Sequence, residues 1–242
     1  MARYPTETLR ALLAAHVLFE DTPPNVLTGL IKFATVRHFG TDEEIFGKGD
    51  PGHSLHGVLS GRVCIYTVSA DNEEIFLNIL GAGEIFGEIA LLDGGPRTAG
   101  ARAMAETDLL QIHRDHFMPF LRQNPELALS MLPVLCSRIR MNVEFIEDAV
   151  FLHLPARLAK RLLGLAETHG VTSAQGTRIE LKFSQQDLAH MIGATRERVN
   201  KELSVWRERG LIAIDEGIIV LRDHARLVQV ATDEPAVNRT HT

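Results

Sequence analysis

The stretch from Pro125 to Val150 divides this chain. Ala128, Leu132, Leu135, Ile139, Asn142, Ile146 and Ala149 recur in alternating steps of four and three, and Cys136, Val143 and Val150 widen the stripe. This spacing belongs to a long helix whose apolar seam faces another helix. About 25 residues at a rise of 1.5 Å span about 37 Å. No second helix of matching length is read elsewhere in the chain, so the seam is expected to meet a second copy in a parallel homodimer. An intramolecular partner is the other way to cover it. Asn142 breaks the apolar row and has two readings: a buried polar residue that fixes register, or a side chain that donates and accepts hydrogen bonds to a ligand.

The two sides of this stretch differ in texture. Before it, Leu9, Leu12, Leu13 and Val17 predict a helix over Thr6 to Phe19, ended by Pro23-Pro24, and a second short helix covers Asn25 to Phe33. From Val36 the chain breaks into short segments punctuated by glycine. Strands are expected over Leu55 to Leu59, Val63 to Val68, Glu74 to Leu80, Gly100 to Ala105 and Asp108 to His113, which together suggest a β-roll or barrel. After it, Phe151 to Pro155 breaks the periodicity as a hinge, and Pro155 opens a helix running through Ala166. Residues 1–150 carry 12 Lys and Arg against 20 Asp and Glu, whereas residues 151–242 carry 13 against 11. The acidic total of −6 thus conceals a C-terminal part able to meet nucleic acid.

Other classes are set aside by what the chain lacks. No apolar run approaches the ~18 residues of a membrane span, and Met-Ala-Arg-Tyr-Pro opens no secretory signal, so a cytoplasmic protein is expected. Cys64 and Cys136 stand far apart without metal-type spacing and are read as small buried hydrophobes. The pairs His53/His56 and His113/His116 come without a third ligand and are read as solvated, leaving no metal site. No activated nucleophile or acid/base pair points to an enzyme.

Two constellations carry chemistry. Phe86 to Ala99 reads Phe-Gly-Glu-Ile-Ala-Leu-Leu-Asp-Gly-Gly-Pro-Arg-Thr-Ala, a shaped loop whose glycines permit tight turns and close approach to a ligand. Arg97 can fork onto an anionic oxygen pair, Thr98 adds a hydroxyl, and backbone amides can form an anion-binding concavity. Glu88 can accept from sugar hydroxyls, or it can simply pair with Arg97 to close the loop. In the second constellation, Ser184 and Asp187 are spaced as a capping box opening a helix through Ile192. Gly193-Ala194 then turns the chain, and Thr195 caps a helix starting at Arg196. Val199, Leu203 and Trp206 face inward, leaving Arg196, Glu197, Asn200, Lys201 and Ser204 outward. That face is either solvated or a reader of base edges. Leu211 to Ile214 and Ile218 to Leu221, around Asp215-Glu216-Gly217, make a hairpin wing.

Gly-Glu-Ile-Ala-Leu-Leu followed by Pro-Arg-Thr-Ala resembles the phosphate-binding cassette of the CRP/FNR family of bacterial transcription regulators. Gly-Ala-Thr-Arg-Glu-Arg-Val-Asn-Lys-Glu-Leu resembles that family's recognition helix. The resemblance covers about residues 20–222. It implies an α+β chain with an effector-binding double-stranded β-roll over 1–124, a dimerisation helix and hinge over 125–152, a winged helix-turn-helix over 153–230, and a flexible tail over 231–242. It implies a cyclic nucleotide effector, cAMP or cGMP, and no prosthetic group. Gly87, Glu88, Ile89, Ala90, Arg97, Thr98 and Ala99 would hold the ligand, Glu88 at the ribose 2′-hydroxyl and Arg97 at the cyclic phosphate. A hydroxyl at Thr98 favours cGMP in some relatives. Arg138, Asn142 and Val143 fall where the family contacts the ligand from the long helix. In the cAMP-responsive relative a Thr-Ser pair stands at 142–143, whereas Val143 here has no hydrogen-bonding side chain. Thr195, Arg196, Glu197, Asn200 and Lys201 would contact palindromic double-stranded DNA with TGTGA-like half-sites, Lys201 replacing a frequent Arg. His153 stands where relatives often carry an acidic residue. RNA polymerase is a further implied partner. Relatives that sense oxygen through an iron-sulfur cluster need four cysteines, and this chain has two.

Overall fold

The computed structural model describes residues 4–16, 18–20, 22–71 and 73–232, which form two compact units, 1–140 and 141–242. The first begins with helices α1 (Thr6–Ala14) and α2 (Pro24–Ile31). α1 stops five residues before the expected Phe19 because His16 Nδ1 accepts the backbone N–H of Leu18 at 3.0 Å and turns the chain. Leu18 and Phe19 are buried from that turn, while Val17 lies outside the described residues. Pro24 sits in the first turn of α2, where its missing N–H is not needed. Phe33, beyond the end of α2, stacks on His116 with ring centres 4.8 Å apart.

Eight strands follow: β1 (Ala34–Phe39), β2 (Glu44–Phe46), β3 (Ser54–Ser60), β4 (Val63–Val68), β5 (Glu74–Leu80), β6 (Ile85–Phe86), β7 (Gly100–Ala103) and β8 (Thr107–His113). They form two antiparallel four-stranded sheets ordered β1-β8-β3-β6 and β2-β7-β4-β5. The chain passes repeatedly from one sheet to the other, which makes the expected β-roll. Phe39, Val58 and Leu109 of one sheet pack against Val63, Leu80, Ala101 and Ala103 of the other. Leu55, Leu110 and Ile112 instead pack under the helices, against Leu13, Leu27, Leu30, Phe117, Leu127 and Met131. Phe117 and Leu121 belong to α4 (Arg114–Gln123), a helix that Pro119 concealed in the sequence.

Helix α5 runs from Pro125 to Phe151, as its periodicity requires. Leu127 and Met131 anchor its start in the first unit. Beyond them the exposed apolar row is Leu129, Leu132, Cys136, Ile139, Val143, Ile146 and Val150, with Ile139 63% and Val150 67% exposed. The row keeps the four-and-three spacing, yet only Leu132, Ile139 and Ile146 belong to the row expected from sequence. Cys136, Val143 and Val150, expected to widen the stripe, are its main members. Asn142 and Ala149 of the expected row are exposed beside this one, and Cys136 is exposed, not buried.

The second unit continues with α6 (Leu154–His169), β9 (Gly170–Ser173), β10 (Gly176–Lys182), α7 (Gln185–Ile192), α8 (Arg196–Glu208), β11 (Ile212–Asp215), β12 (Ile218–Leu221) and α9 (His224–Thr232). Its sheet is ordered β11-β12-β10-β9, all antiparallel. Asp215 pairs with Ile218 across a two-residue turn in which Glu216 and Gly217 both have positive φ, 46° and 84°, the backbone of a type I′ hairpin. Leu158, Leu162, Ile179, Val199, Leu203, Trp206, Ile219 and Leu227 are buried in this unit. Ala231 and Thr232, expected to start the tail, close α9; the tail itself lies outside the described residues. Among the described residues no helix is long and apolar enough to cross a membrane.

Candidate effector site and DNA-reading helix

Between β6 and β7 the chain makes the loop singled out in the sequence. Gly87 turns with φ 82°, Glu88–Asp93 forms the short helix α3, and Gly94 ends it with φ 76°. At Gly87 two constraints coincide. Its φ strains any residue with a side chain, and a Cβ there would lie 2.5 Å from Arg97 Nη1 and 3.1 Å from the Ser54 carbonyl oxygen. The loop over 47–52 closes against this segment. Gly49 N–H donates to the Arg97 carbonyl at 2.9 Å, and Arg97 N–H donates to the Asp50 carbonyl at 2.8 Å. A Cβ on Gly52 would collide with that of Ala90.

Arg97 is only 4% exposed. Its Nη1 donates to the Gly87 carbonyl at 2.9 Å, and its Nη2 donates to the Ser54 carbonyl at 2.7 Å and to Ser54 Oγ at 3.1 Å. The guanidinium carbon stands 4.0 Å from the centre of the Phe46 ring, and Nε is buried without a hydrogen-bond partner. Burial draws its pKa below the ordinary arginine value, opposed by Glu88 and Asp50, but a guanidinium remains charged. A buried cation held by neutral oxygens, with a donor still unspent, is suited to anionic oxygens.

Glu88 is 6% exposed. Its Oε1 lies 3.8 Å from Nε of Arg138, whose Nη2 donates to the Ile85 carbonyl at 3.0 Å. Of the two readings of Glu88, simple closure by Arg97 is not the arrangement seen. Arg97 is turned to carbonyl oxygens, and Glu88 faces an arginine of α5. The structure thus brings together Gly87, Glu88, Arg97 and Arg138. Ala90 is buried, Ala99 half-buried, and Ile89 and Thr98 are exposed. Asn142 and Val143 are exposed on the next turn of α5.

Sequence reasoning missed Ser54, Phe46 and His56. His56 is not a solvated histidine: it is 3% exposed, its ring stacks on Phe86 at 5.0 Å, and its Nε2 lies 3.4 Å from both Ser54 Oγ and Gln111 Nε2. Burial first, then the charge of Arg97, pushes its pKa down to about 3, so the imidazole is neutral. Its Nδ1 is buried without a partner. Period-two patterning could not have revealed this, because six of the seven residues of β3 are buried and both its faces are covered.

The second constellation assembles as expected. Asp187 N–H donates to Ser184 Oγ at 3.0 Å and Ser184 N–H donates to Asp187 Oδ2 at 2.8 Å, closing the capping box of α7. Gly193, with φ 59°, ends α7. Thr195 Oγ1 accepts from Arg198 N–H at 3.4 Å and caps α8. Val199, Leu203 and Trp206 are buried, whereas Thr195, Arg196, Glu197, Asn200 and Lys201 are exposed. Donors and acceptors of the kinds that pair with guanine, cytosine and adenine edges stand together on the outer face.

Residues 36–124 match the cyclic nucleotide-binding domain, and residues 156–230 match the Crp-like helix-turn-helix domain. A CRP-like cAMP-activated global transcriptional regulator of Mycobacterium tuberculosis is 31% identical over 220 residues, covering 91% of this chain and 98% of that protein. The chain belongs to the CRP/FNR family of transcription regulators. It is a DNA-binding regulator with a cyclic nucleotide-binding domain, not an enzyme. A global nitrogen regulator of a Nostoc species is 35% identical over 181 residues, covering 74% of this regulator and 81% of its relative. The fold matches a solved structure of the c-di-GMP-responsive regulator CLP of Xanthomonas campestris with a TM-score of 0.74, at 24% identity, covering 82% of this chain and 99% of that one.

Proposed function

We propose that this regulator is a homodimer whose affinity for DNA is set by a cyclic nucleotide, cAMP first and cGMP second. The observation that carries this is the buried Arg97 guanidinium, with Nε unspent, beside the equally buried Glu88. Arg97 would take the cyclic phosphate, with Thr98 adding its hydroxyl, and Glu88 would accept from the ribose 2′-hydroxyl. Gly87, Ile89, Ala90 and Ala99 shape the loop. Ribose at Glu88 competes with Arg138 for the same carboxylate, and Arg138 is part of α5, so occupancy bears on the helix that leads to the second unit. Asn142 would meet the base; Val143 would not hydrogen-bond it.

The exposed row from Leu129 to Val150 supports pairing of α5 with its copy. The effector would favour the arrangement that places the two α8 helices one DNA turn apart, so the largest switch equals the ligand's difference in affinity between the two states. Thr195, Arg196, Glu197, Asn200 and Lys201 would contact TGTGA-like half-sites, and RNA polymerase would be met at the promoter. The divisions at 124, 152 and 230 follow from these roles.

The similarity to a nitrogen regulator, together with Val143 in place of a hydrogen-bonding residue, favours a second reading: the same architecture answering to another effector. Calorimetric titration with cAMP and cGMP separates the two. Saturable binding that is lost in Arg97→Gln supports the first reading; no heat with either nucleotide supports the second.

A further inference from the structure

Arg157 and Arg198 have no place among the base-reading residues, yet they form a charged constellation in the second unit. Arg157 lies in the first turns of α6 and Arg198 is the third residue of α8, and these helices pack on one another. Arg157 Nε is buried with no hydrogen-bond partner. Burial and the neighbouring charge of Arg198 both push its pKa down, and Asp148 acts the other way. Asp148 is already engaged, accepting from Lys160 Nζ at 2.7 Å. The Arg157 guanidinium thus feels one carboxylate that Lys160 already engages and one further cation, Arg198, a positive surplus maintained against repulsion. Such a surplus is relieved by an anion with several acceptor oxygens, which forked guanidinium donors match. Arg198 is exposed at the N-terminal end of a 13-residue helix, whose dipole adds to the attraction.

We infer that Arg157 and Arg198 together grip one backbone phosphate of bound DNA beside the base-reading face of α8. The grip carries no sequence information; it fixes how α8 sits in the groove. It rests on the DNA-binding role of the helix-turn-helix and not on the identity of the effector.

The test is the salt dependence of binding by the full-length protein, read by anisotropy on a TGTGA palindrome and on a scrambled duplex, for wild type, Arg157→Gln, Arg157→Lys and Arg198→Gln. In the dimer each Gln variant removes one phosphate contact per half-site, two in all, and should lower the magnitude of the slope of log K against log[salt] by about 1.8, or about 12-fold less loss of affinity between 50 and 200 mM salt. The reduction should be alike on both duplexes, and Arg157→Lys should retain most of the slope. A duplex with one methylphosphonate in place of the gripped phosphate should weaken wild type and leave Arg157→Gln unaffected. Unchanged slopes in the Gln variants, or weakening confined to the palindrome, would overturn the inference. Salt-dependent binding of wild type to the scrambled duplex alone would count against the half-site assignment and leave the phosphate grip measurable.

Discussion

Gly87→Ala and Gly83→Ala form a matched pair that isolates the placement of Arg97. Both glycines have positive φ, 82° and 90°, so both alanines incur backbone strain of about 1–2 kcal/mol. Around Gly83 a Cβ meets nothing within 4 Å, whereas at Gly87 it meets Arg97 Nη1 at 2.5 Å. The guanidinium is the softer partner and moves, breaking the hydrogen bond from Nη1 to the Gly87 carbonyl. Hydrogen bonds to a charged group contribute about 1.5–3 kcal/mol each. Gly83→Ala should therefore lose about 1–2 kcal/mol of stability and bind nucleotide as wild type does. Gly87→Ala should lose about 3–5 kcal/mol and bind about 10- to 100-fold more weakly, since a misplaced cation forfeits a charge-assisted contact. Urea denaturation measures the first quantity and calorimetric titration with cAMP the second. Equal nucleotide affinity in the two variants would refute the assignment of Arg97 as the phosphate ligand.

Three further outcomes are expected. His56 is neutral when folded, with a pKa near 3 against about 6.5 when unfolded. Its contribution is therefore complete above pH 6.5 and falls as pH drops toward 3, by about 2 kcal/mol at pH 5; in urea titrations at pH 7.5 and 5, His56→Phe should lose that much less than wild type, and an identical loss would count against a buried neutral imidazole. In a parallel in-register dimer the exposed Cys136 side chains face one another while Cys64 is buried, so mild oxidation should yield a covalent dimer on non-reducing gels that Cys136→Ser abolishes; a monomer band alone would argue against this seam. Glu197→Ala should relax discrimination at one base position by about 1–3 kcal/mol in competition assays with variant half-sites, and an unchanged preference would remove Glu197 from the reading face.

The sequence carried most where local chemistry decides the outcome. The strands Val63–Val68 and Glu74–Leu80 lie where their patterns place them, and the Ser184 capping box and the Glu216-Gly217 turn form through contacts between near neighbours. It carried less where distant packing decides. β9 has no buried residue to mark it, and α4 hides behind Pro119. The seam of α5 was legible in its period; Leu127 and Met131 draw the first turns into the unit, Ala128 and Leu135 of the expected row are half-buried, and Asn142 and Ala149 farther along are exposed. In the effector site Glu88 and Arg97 were visible as a motif, but Ser54, Phe46 and His56 come from strands more than thirty residues away. Arg157 was hidden among the leucines of α6, where only its position against α8 gives its charge a meaning.

The central claim is that one cyclic nucleotide switches this protein onto DNA. Anisotropy of a labelled TGTGA-N6-TCACA duplex, titrated with the full-length protein at fixed salt with no nucleotide, with cAMP and with cGMP, tests it directly, salt being held constant because phosphate contacts dominate affinity. Tight binding with one nucleotide and weak binding without it is the predicted result; equal binding in all three titrations would contradict the switch while leaving the DNA-reading helix in place.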